Sequence, residues 1–231
     1  MTTDRGGAPT SRSVMDRGAA PAQHSAGVGS EVRDHLVVAV VPTIVGARVT
    51  LRAPRAGDVR ARMAAGRDPE IVLGYGQRVE AKARLSRAEA RAWLSRVTSE
   101  DWSWVIEHEG EAVGQIRLHA LDLAQREAFV ALGLFRSDLL GRGLGSDALR
   151  ALMRWAVGDP LALEKLRLRV AEYNARAITS YRKCGFVEDR RVERAFELDG
   201  RWHADLLMSA RLRPTITGCS GTSAPDQCWP L

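Results

Sequence analysis

The chain has 231 residues, 45% of them hydrophobic, and a formal net charge of +6 at pH 7. This is enough apolar material for one buried core, yet no run approaches the ~20 apolar residues that cross a bilayer. Three cysteines (Cys184, Cys219 and Cys228) are too few and too unevenly placed for a disulfide framework. The N-terminus also lacks the basic-then-apolar order of a secretory signal, so we predict a cytoplasmic protein.

The positive charge indicates anionic partners, either nucleic acid or a polyanionic small molecule. Arginine is scattered along the chain rather than gathered in one block, which favours a mixed, solvated surface. The sequence contains no groove-reading motif, and motifs decide nucleic-acid binding more than total charge does. We therefore predict neither nucleic acid nor a membrane as a partner.

Two terminal stretches, residues 1–33 and 213–231, are poor in large apolar side chains and rich in small and polar residues. We predict that both are disordered tails and that one domain occupies residues 44–212. Met15 lies inside the first tail and is an alternative start.

Helical and strand patterns alternate between the tails. Ser86 and Glu89 have the spacing of a capping box, which predicts a helix N-terminus, and Asp199-Gly200 predicts a hairpin turn. In chain order the predicted elements are a strand over 47–52, a helix from Asp58, a helix over 86–97, a hairpin of strands 102–107 and 112–119, a strand over 128–134, a helix over 143–157, a strand over 166–170, a helix over 174–184 and a hairpin of strands 192–198 and 202–208. This mixture predicts the α/β class, with all strands in one sheet.

Three glycines, Gly141, Gly143 and Gly145, end a predicted strand and open a helix. Glycine lacks the Cβ atom that would keep a ligand from the backbone, and the N–H groups of a helix N-terminus bind pyrophosphate. Arg142 can add a charge-assisted contact and Ser146 a hydroxyl. The alternative is a glycine-rich turn without a ligand. The segment lacks the Gly-Lys-Ser/Thr ending of a P-loop and the glycine spacing of a dinucleotide fold.

The segment Leu140-Gly-Arg-Gly-Leu-Gly145 resembles motif A, Arg/Gln-x-x-Gly-x-Gly/Ala, of the GNAT superfamily of acetyl-CoA-dependent N-acetyltransferases, with Leu at the first position. Residues 174–186 are similar to a second motif at the family's spacing. The resemblance covers about residues 44–210. It implies a central mixed, mostly antiparallel twisted sheet flanked by helices, and acetyl-CoA as co-substrate.

The segments 45–54 and 196–208 look like the branch that contains ribosomal-protein N-terminal acetyltransferases and aminoglycoside or other small-amine acetyltransferases. The implied acceptor is therefore a protein N-terminus or an amine-bearing small molecule. The oligomeric state is left open, a homodimer included.

The resemblance also implies roles for individual residues. Asn174 and Tyr181 are seven residues apart and share one helix face; by resemblance Asn174 touches the pantetheine arm and Tyr181 sits near the thioester sulfur. A thiol pKa near ~8.5 and a tyrosine pKa near ~10 are close enough for Tyr181 to act as general acid. A half-buried core tyrosine is the alternative. The coenzyme-binding residues implied are Leu134, Phe135, Arg136, Arg142, Gly143, Leu144, Gly145, Ser146 and Asn174.

The general base is harder to assign. Glu127 is the candidate that we name, with His119 and Asp122 as alternatives, although each also fits an ordinary surface or loop residue. Neutralising a lysine-like amine of pKa ~10.4 at pH 7 costs roughly 4.6 kcal/mol, whereas an α-amine of pKa ~8 costs about 1.4 kcal/mol. An α-amine acceptor could therefore use a water chain, and the lack of an obvious base mildly favours it.

Three aromatic residues, Trp102, Trp104 and Tyr75, could line an acceptor cleft, but core packing explains them equally well and is preferred. Five scattered histidines and no Cys-x-x-Cys pair provide no metal ligand set. A function of another class, a non-catalytic acyl-CoA sensor, would keep the glycines. Tyr181 argues against it, because a sensor needs no general acid.

Overall fold

A computed structural model describes residues 41–213, through which one eight-stranded sheet runs. The strands are β1 (Ile44–Val45), β2 (Thr50–Arg52), β3 (Ser103–His108), β4 (Glu111–Asp122), β5 (Glu127–Leu134), β6 (Lys165–Ala171), β7 (Val187–Leu198) and β8 (Arg201–Arg211). The helices are α1 (Asp58–Ala65), α2 (Pro69–Gly74), α3 (Arg87–Ser99), α4 (Leu144–Ala156) and α5 (Ala175–Lys183). The predicted α/β class is confirmed. The predicted tails lie outside the described residues, apart from Arg213.

The strand order is β1-β2-β3-β4-β5-β6-β8-β7, and β5–β6 is the one parallel pair among these strands. A parallel connection needs a crossover, and α4 provides it. The predicted hairpins are confirmed as β3–β4 and β7–β8. Their turns, Glu109-Gly110 and Asp199-Gly200, have positive φ at both residues, which is the type I′ geometry that matches the twist of the strands.

Helices cover both faces of the sheet. The larger core lies between the sheet and α4, whose apolar positions recur at helical spacing and are buried, among them Leu144, Ala148, Leu149 and Leu152. A smaller cluster on the other face includes Trp93 of α3 and Phe135, whose rings meet edge to face at 5.4 Å. The predicted capping box of α3 is confirmed: Ser86 and Glu89 bond reciprocally.

Two local features differ from the predictions. The strand predicted over 47–52 is a short hairpin, β1–β2, with its turn at 46–49. Helix α2 has no predicted counterpart: it is only six residues long, too short for apolar periodicity to reveal, although Asp68 and Pro69 form a regular N-terminus for it.

Candidate active site

The site begins where β5 and β6 separate. Their pairing covers only Glu127–Phe129 with Lys165–Arg167, and beyond these residues the two strands diverge. A cavity of about 990 Å³ opens in the gap and passes from one face of the sheet toward the other. Such a volume suits a ligand much larger than a metal ion or water cluster.

The two sides of this cavity differ in their lining residues. We call the side formed by Gly141, by residues 143–146, by α5 and by Val130–Leu134 of β5 the coenzyme half. We call the side formed by Arg117, His119, Phe129, Arg169 and Asp205 the acceptor half. The cross-strand pairs His119–Phe129 and Arg117–Ala131 set these side chains on one face of the sheet, and α4 lies on the other.

The N-terminus of α4 forms the predicted glycine cradle. Gly143 is its N-cap with φ +80°, and no side chain caps the helix. The first N–H groups of a helix have no acceptor within it, so those of Leu144, Gly145 and Ser146 remain available to a ligand. A Cβ on Gly141 would meet open space, and one on Gly145 would lie 3.5 Å from Leu132. The uncapped N–H groups leave this end of the helix open to an anionic ligand such as pyrophosphate.

A buried carboxylate holds this cradle in place. Asp147, in the first turn of α4, accepts hydrogen bonds from the backbone N–H groups of Ala47 (3.1 Å), Arg48 (2.7 Å) and Val49 (3.1 Å) in the β1–β2 turn. A Cβ on Gly46 would come within 2.6 Å of the Asp147 carboxylate, so the turn requires glycine there. The glycine motif at 141–146 does not indicate this contact, because the residues that Asp147 bonds, 47–49, lie about one hundred positions upstream.

Arginine side chains surround the cradle. Arg48 donates from Nη1 to the carbonyl of Arg142 at 2.7 Å. Arg142 itself is exposed and is not a lining residue, whereas Arg150 and Lys183 are. Cations at this end of the cavity complement phosphate groups.

The hydroxyl of Ser146 lies 2.6 Å from the hydroxyl of Ser180 on α5. It joins the two helices, so the backbone N–H of Ser146, rather than its hydroxyl, is the group available to a ligand. Asn174, which also lines the cavity, caps α5 by accepting from the N–H of Ala177 at 3.1 Å. Its amide nitrogen lies 3.5 Å from the carbonyl of Gly74.

Tyr181 lines the same cavity, about two turns along α5 from Asn174. Burial raises the pKa of its phenol, and the nearby Tyr75 adds to this increase. Within residues 41–213 no hydrogen-bond partner is found for its hydroxyl, while its ring lies 6.1 Å from that of Phe186. Tyr181 is therefore protonated at neutral pH.

A second tyrosine shares the cavity. Tyr75 donates its hydroxyl to the carbonyl of Leu132 at 3.2 Å, and burial raises the pKa of this phenol to about 12. A Cβ on Gly133 would lie 1.6 Å from that hydroxyl, so glycine is needed beside it. Tyr75 therefore lines the candidate site. Trp102 and Trp104, only 7% and 0% exposed, are core residues.

Helix α2 carries Tyr75 into this position, because it is fixed at both ends. At one end Asp68 accepts from the N–H and the hydroxyl of Ser137, at 2.9 and 2.7 Å. At the other end Tyr173 donates its hydroxyl to the carbonyl of Leu73 at 2.9 Å. The helix therefore bridges the region after β5 and the residues before α5.

At the end of β5 the cavity lining differs from the predicted coenzyme-binding residues 134–136. Leu134 lines the cavity, but Phe135 and Arg136 do not. Phe135 donates its N–H to the carbonyl of Val113 at 2.9 Å, and Arg136 pairs with Asp138 at 2.8 Å. The strand presents Val130–Leu134 to the cavity instead.

The three candidate bases lie in different environments. Glu127 is not among the lining residues and pairs with Arg167 (3.2 Å) and Lys165 (3.9 Å). Asp122 is exposed and accepts from the N–H of Gln125. His119 is a lining residue, and burial, aided by the charge of Arg117, lowers its pKa to about 4. Of the three, only His119 reaches the cavity.

A ring cluster borders the acceptor half. The imidazole of His203 stacks on Phe196 at 5.6 Å and meets Tyr173 at 5.1 Å. Its Nδ1 lies 3.5 Å from the Glu172 carboxylate. These contacts join the β7–β8 hairpin to the residues before α5, and Phe196 and Tyr173 line the cavity.

Among residues 41–213, no group of three or more His, Cys, Asp or Glu side chains is arranged to hold a metal ion. In the same part of the chain, no helix is long and apolar enough to span a membrane.

The separated parallel strands and the uncapped helix N-terminus form a cavity that suits an anionic ligand such as a pyrophosphate group. Residues 48–187 match the model of the acetyltransferase (GNAT) domain family. The chain therefore belongs to this family and is an acetyl-CoA-dependent N-acetyltransferase.

Solved structures of acetyltransferases have the same fold. A spermidine N-acetyltransferase from Vibrio cholerae, in complex with CoA and spermine, is 21% identical; the match covers 71% of this chain and 96% of that one, with a TM-score of 0.59. RimL, a ribosomal L7/L12 alpha-N-protein acetyltransferase in complex with coenzyme A, is 18% identical over 74% of this chain and 98% of that one, with a TM-score of 0.59. A GNAT-family acetyltransferase from Bacillus anthracis is 12% identical over 74% and 98%, with a TM-score of 0.62. No curated protein matches significantly by sequence.

Proposed function

We propose that the protein acetylates a primary amine by direct attack of the amine on the thioester of acetyl-CoA, with Tyr181 as general acid. The observation that carries this proposal is one cavity that is lined by both the uncapped N-terminus of α4 and Tyr181. The first would supply N–H groups for the coenzyme pyrophosphate. The second would supply a proton to the leaving thiolate.

The coenzyme half would hold acetyl-CoA along its length. Leu144, Gly145 and Ser146 would bind the pyrophosphate through N–H groups, with Arg150 and Lys183 as neighbouring cations. The diverging edge of β5, from Val130 to Leu134, would face the pantetheine arm. Backbone groups of a strand without a neighbour on that side can pair with an amide-bearing chain.

In the reaction the neutral amine nitrogen bonds to the acetyl carbon, the carbon–sulfur bond breaks, and the departing thiolate takes the proton of Tyr181. The proton that the nitrogen loses on forming the amide passes through water and restores the phenol. Burial raises the pKa of Tyr181, so the phenol is protonated in the resting site but is a weaker acid toward the thiolate than a free tyrosine, and the Tyr181→Phe variant decides whether it donates. The amine must arrive neutral or lose its proton nearby. Glu127 is poorly placed for this, since it lies outside the lining and pairs with two cations.

An amine with a low pKa needs little assistance from a general base, because part of it is already neutral at pH 7. For an α-amine of pKa ~8, about one tenth is neutral at pH 7, which corresponds to roughly 1.4 kcal/mol, against roughly 4.6 kcal/mol for a lysine-like amine. His119 carries no charge at neutral pH and is the lining residue that could relay the released proton through water. We therefore propose an α-amine acceptor, which is the kind of group that a protein N-terminus presents.

The test is thiol release from acetyl-CoA with an N-terminal peptide, an Nα-blocked lysine, spermidine and an aminoglycoside as acceptors. We expect turnover with the peptide, and a value of kcat/KM that rises with pH through the acceptor's own pKa. Gly143→Asp serves as the negative control. Tight acetyl-CoA binding without turnover of any amine would contradict the proposal and support a sensor.

A further inference from the structure

The charges in the cavity restrict the kind of amine that can bind. The lining contains two carboxylates, Glu70 and Asp205, and both are held by arginine. Asp205 lies 3.0 Å from Arg169, and Glu70 pairs with Arg176. No lining carboxylate is thus left without a cation to neutralise it.

A polycationic acceptor would find no counter-charge here. Amines such as spermidine carry several positive charges, and each loses hydration on entering a half-enclosed site. Carboxylates would have to replace that hydration, but Asp205 and Glu70 are already neutralised. Arg117 also lines the acceptor half, and its own partner, Glu100 at 2.7 Å, lies outside the lining. Among the described residues that line it, the acceptor half therefore offers an ammonium group no carboxylate that lacks a cationic partner.

Arg169 adds a local observation. Its Nε atom is buried and has no hydrogen-bond partner among residues 41–213, although its terminal nitrogen bonds Asp205. The Nε atom of Arg167 is in the same condition, but Arg167 does not line the cavity. A buried guanidinium N–H without an acceptor is costly, so a structure that keeps one commonly gives it a ligand. Arg169 lies on β6 beyond the residues that pair with β5, where the strands have separated. It therefore borders the gap through which an acceptor must reach Tyr181.

We propose that the acceptor of the reaction above carries a carboxylate near its amine, and that Arg169, assisted by Arg117, binds this carboxylate. The substrate class is an acidic amine: an α-amino acid, or a protein N-terminus with Asp or Glu in its first few positions. A guanidinium beside the amine site recognises a carboxylate in fixed geometry and repels a second ammonium group. This inference rests on the proposed amine acetylation, but its binding step can be measured without turnover.

The first experiment measures calorimetric binding to the CoA-loaded protein. The ligands are spermidine and three tetrapeptides that differ only at position 2, with Asp, Asn or Lys. We expect the Asp peptide to bind at least about 10-fold tighter than the Asn peptide, and the Lys peptide and spermidine to bind weakest. Equal binding of the three peptides, or tighter binding of spermidine, would overturn the inference.

The second experiment removes the arginine without leaving Asp205 uncompensated. The double variant Arg169→Gln/Asp205→Asn should lose the preference for Asp over Asn, through KM rather than kcat. The matched control is Arg167→Gln, which removes one arginine from the same face of β6 but not from the cavity lining. The control should keep the preference. A preference that survives the double variant would rule out Arg169 as the carboxylate-binding residue.

The two proposals fail in different ways. If the Asp peptide binds preferentially but is not acetylated, the acceptor class stands and the proposed catalysis fails. If peptides are acetylated without regard to charge, the catalysis stands and the inference fails.

Discussion

The two halves of the cavity are built from different material. The coenzyme half contains the uncapped N-terminus of α4, where backbone N–H groups of residues 144–146 are available to a ligand. The acceptor half consists of side chains from four strands, with Arg117 and His119 on β4, Phe129 on β5, Arg169 on β6 and Asp205 on β8. Backbone N–H groups are present whatever the side chain is, so a site built from them keeps the same ligand when residues are substituted. A site built from side chains changes its ligand when a single residue is substituted.

The largest expected effect comes from damage to the backbone-built half. Gly143→Asp places a Cβ and a negative charge in the cradle, and we expect acetyl-CoA affinity to fall by about 100-fold or more. Gly145→Asp should behave similarly. Gly110→Asp is a matched control, because Gly110 has the same φ of +80° with nothing around it and lies in the β3–β4 turn. Calorimetry that found equal acetyl-CoA affinity in Gly143→Asp and Gly110→Asp would contradict the cradle.

The next effect tests the proposed proton donor, Tyr181, which lies on α5 in the coenzyme half. Tyr181→Phe keeps the ring, so kcat should fall by roughly 100-fold with little change in the Kd of acetyl-CoA. Tyr75→Phe removes the other buried phenol of the cavity, whose hydroxyl is already used by Leu132, and should lower kcat much less. Steady-state rates from about pH 6 to about pH 9 measure both. Wild-type rates in Tyr181→Phe across this range would exclude the general-acid role.

A smaller effect should follow when the hydrogen bonds between Asp147 and the β1–β2 turn are lost while the glycines of the cradle stay in place. Asp147→Asn replaces one carboxylate oxygen by an NH2 group, which cannot accept the hydrogen bonds that the backbone N–H groups of the β1–β2 turn donate. We expect unfolding free energy to fall by about 1–3 kcal/mol and the Kd of acetyl-CoA to rise by about 10-fold. Asp138→Asn, an exposed acid close to the cradle in sequence, is the control. An unchanged Kd in Asp147→Asn, measured at a temperature where it is folded, would mean that the cradle does not depend on this turn.

The smallest expected effect is on the pH dependence of stability, and it comes from His119 in the acceptor half. Burial lowers the pKa of His119 in the folded chain to about 4 from its ordinary value of 6.5, so between these pH values the unfolded chain binds a proton that the folded chain does not. Stability should therefore decrease as the pH falls from about 6.5 to about 4. His119→Gln should flatten this part of the curve of Tm against pH. An identical slope in wild type and variant would show that His119 does not carry the pH dependence.

Much of the coenzyme half could be predicted from the sequence, because its determinants are local. The glycines at 141, 143 and 145, the cap at Asn174 and the spacing from Asn174 to Tyr181 all lie within one or two helix turns of the groups that they serve. The family resemblance then gave these residues a ligand. The acceptor half could not be predicted in the same way, because Arg169 and Asp205 belong to no local motif and only the pairing of β6 with β8 and its divergence from β5 bring them to the cavity. The role of Glu127 as base stays a prediction.

The sequence alone determined the class, the hairpins, the capped helices and the glycine cradle, because turn geometry and helix capping depend on residues fewer than about five positions apart. The tertiary structure alone decided where β5 and β6 separate, which turn supports Asp147, and which carboxylates are neutralised by arginine. These contacts join residues up to about a hundred positions apart. Sheet order and register select such partners, and neither can be derived from the spacing of residues within a single strand.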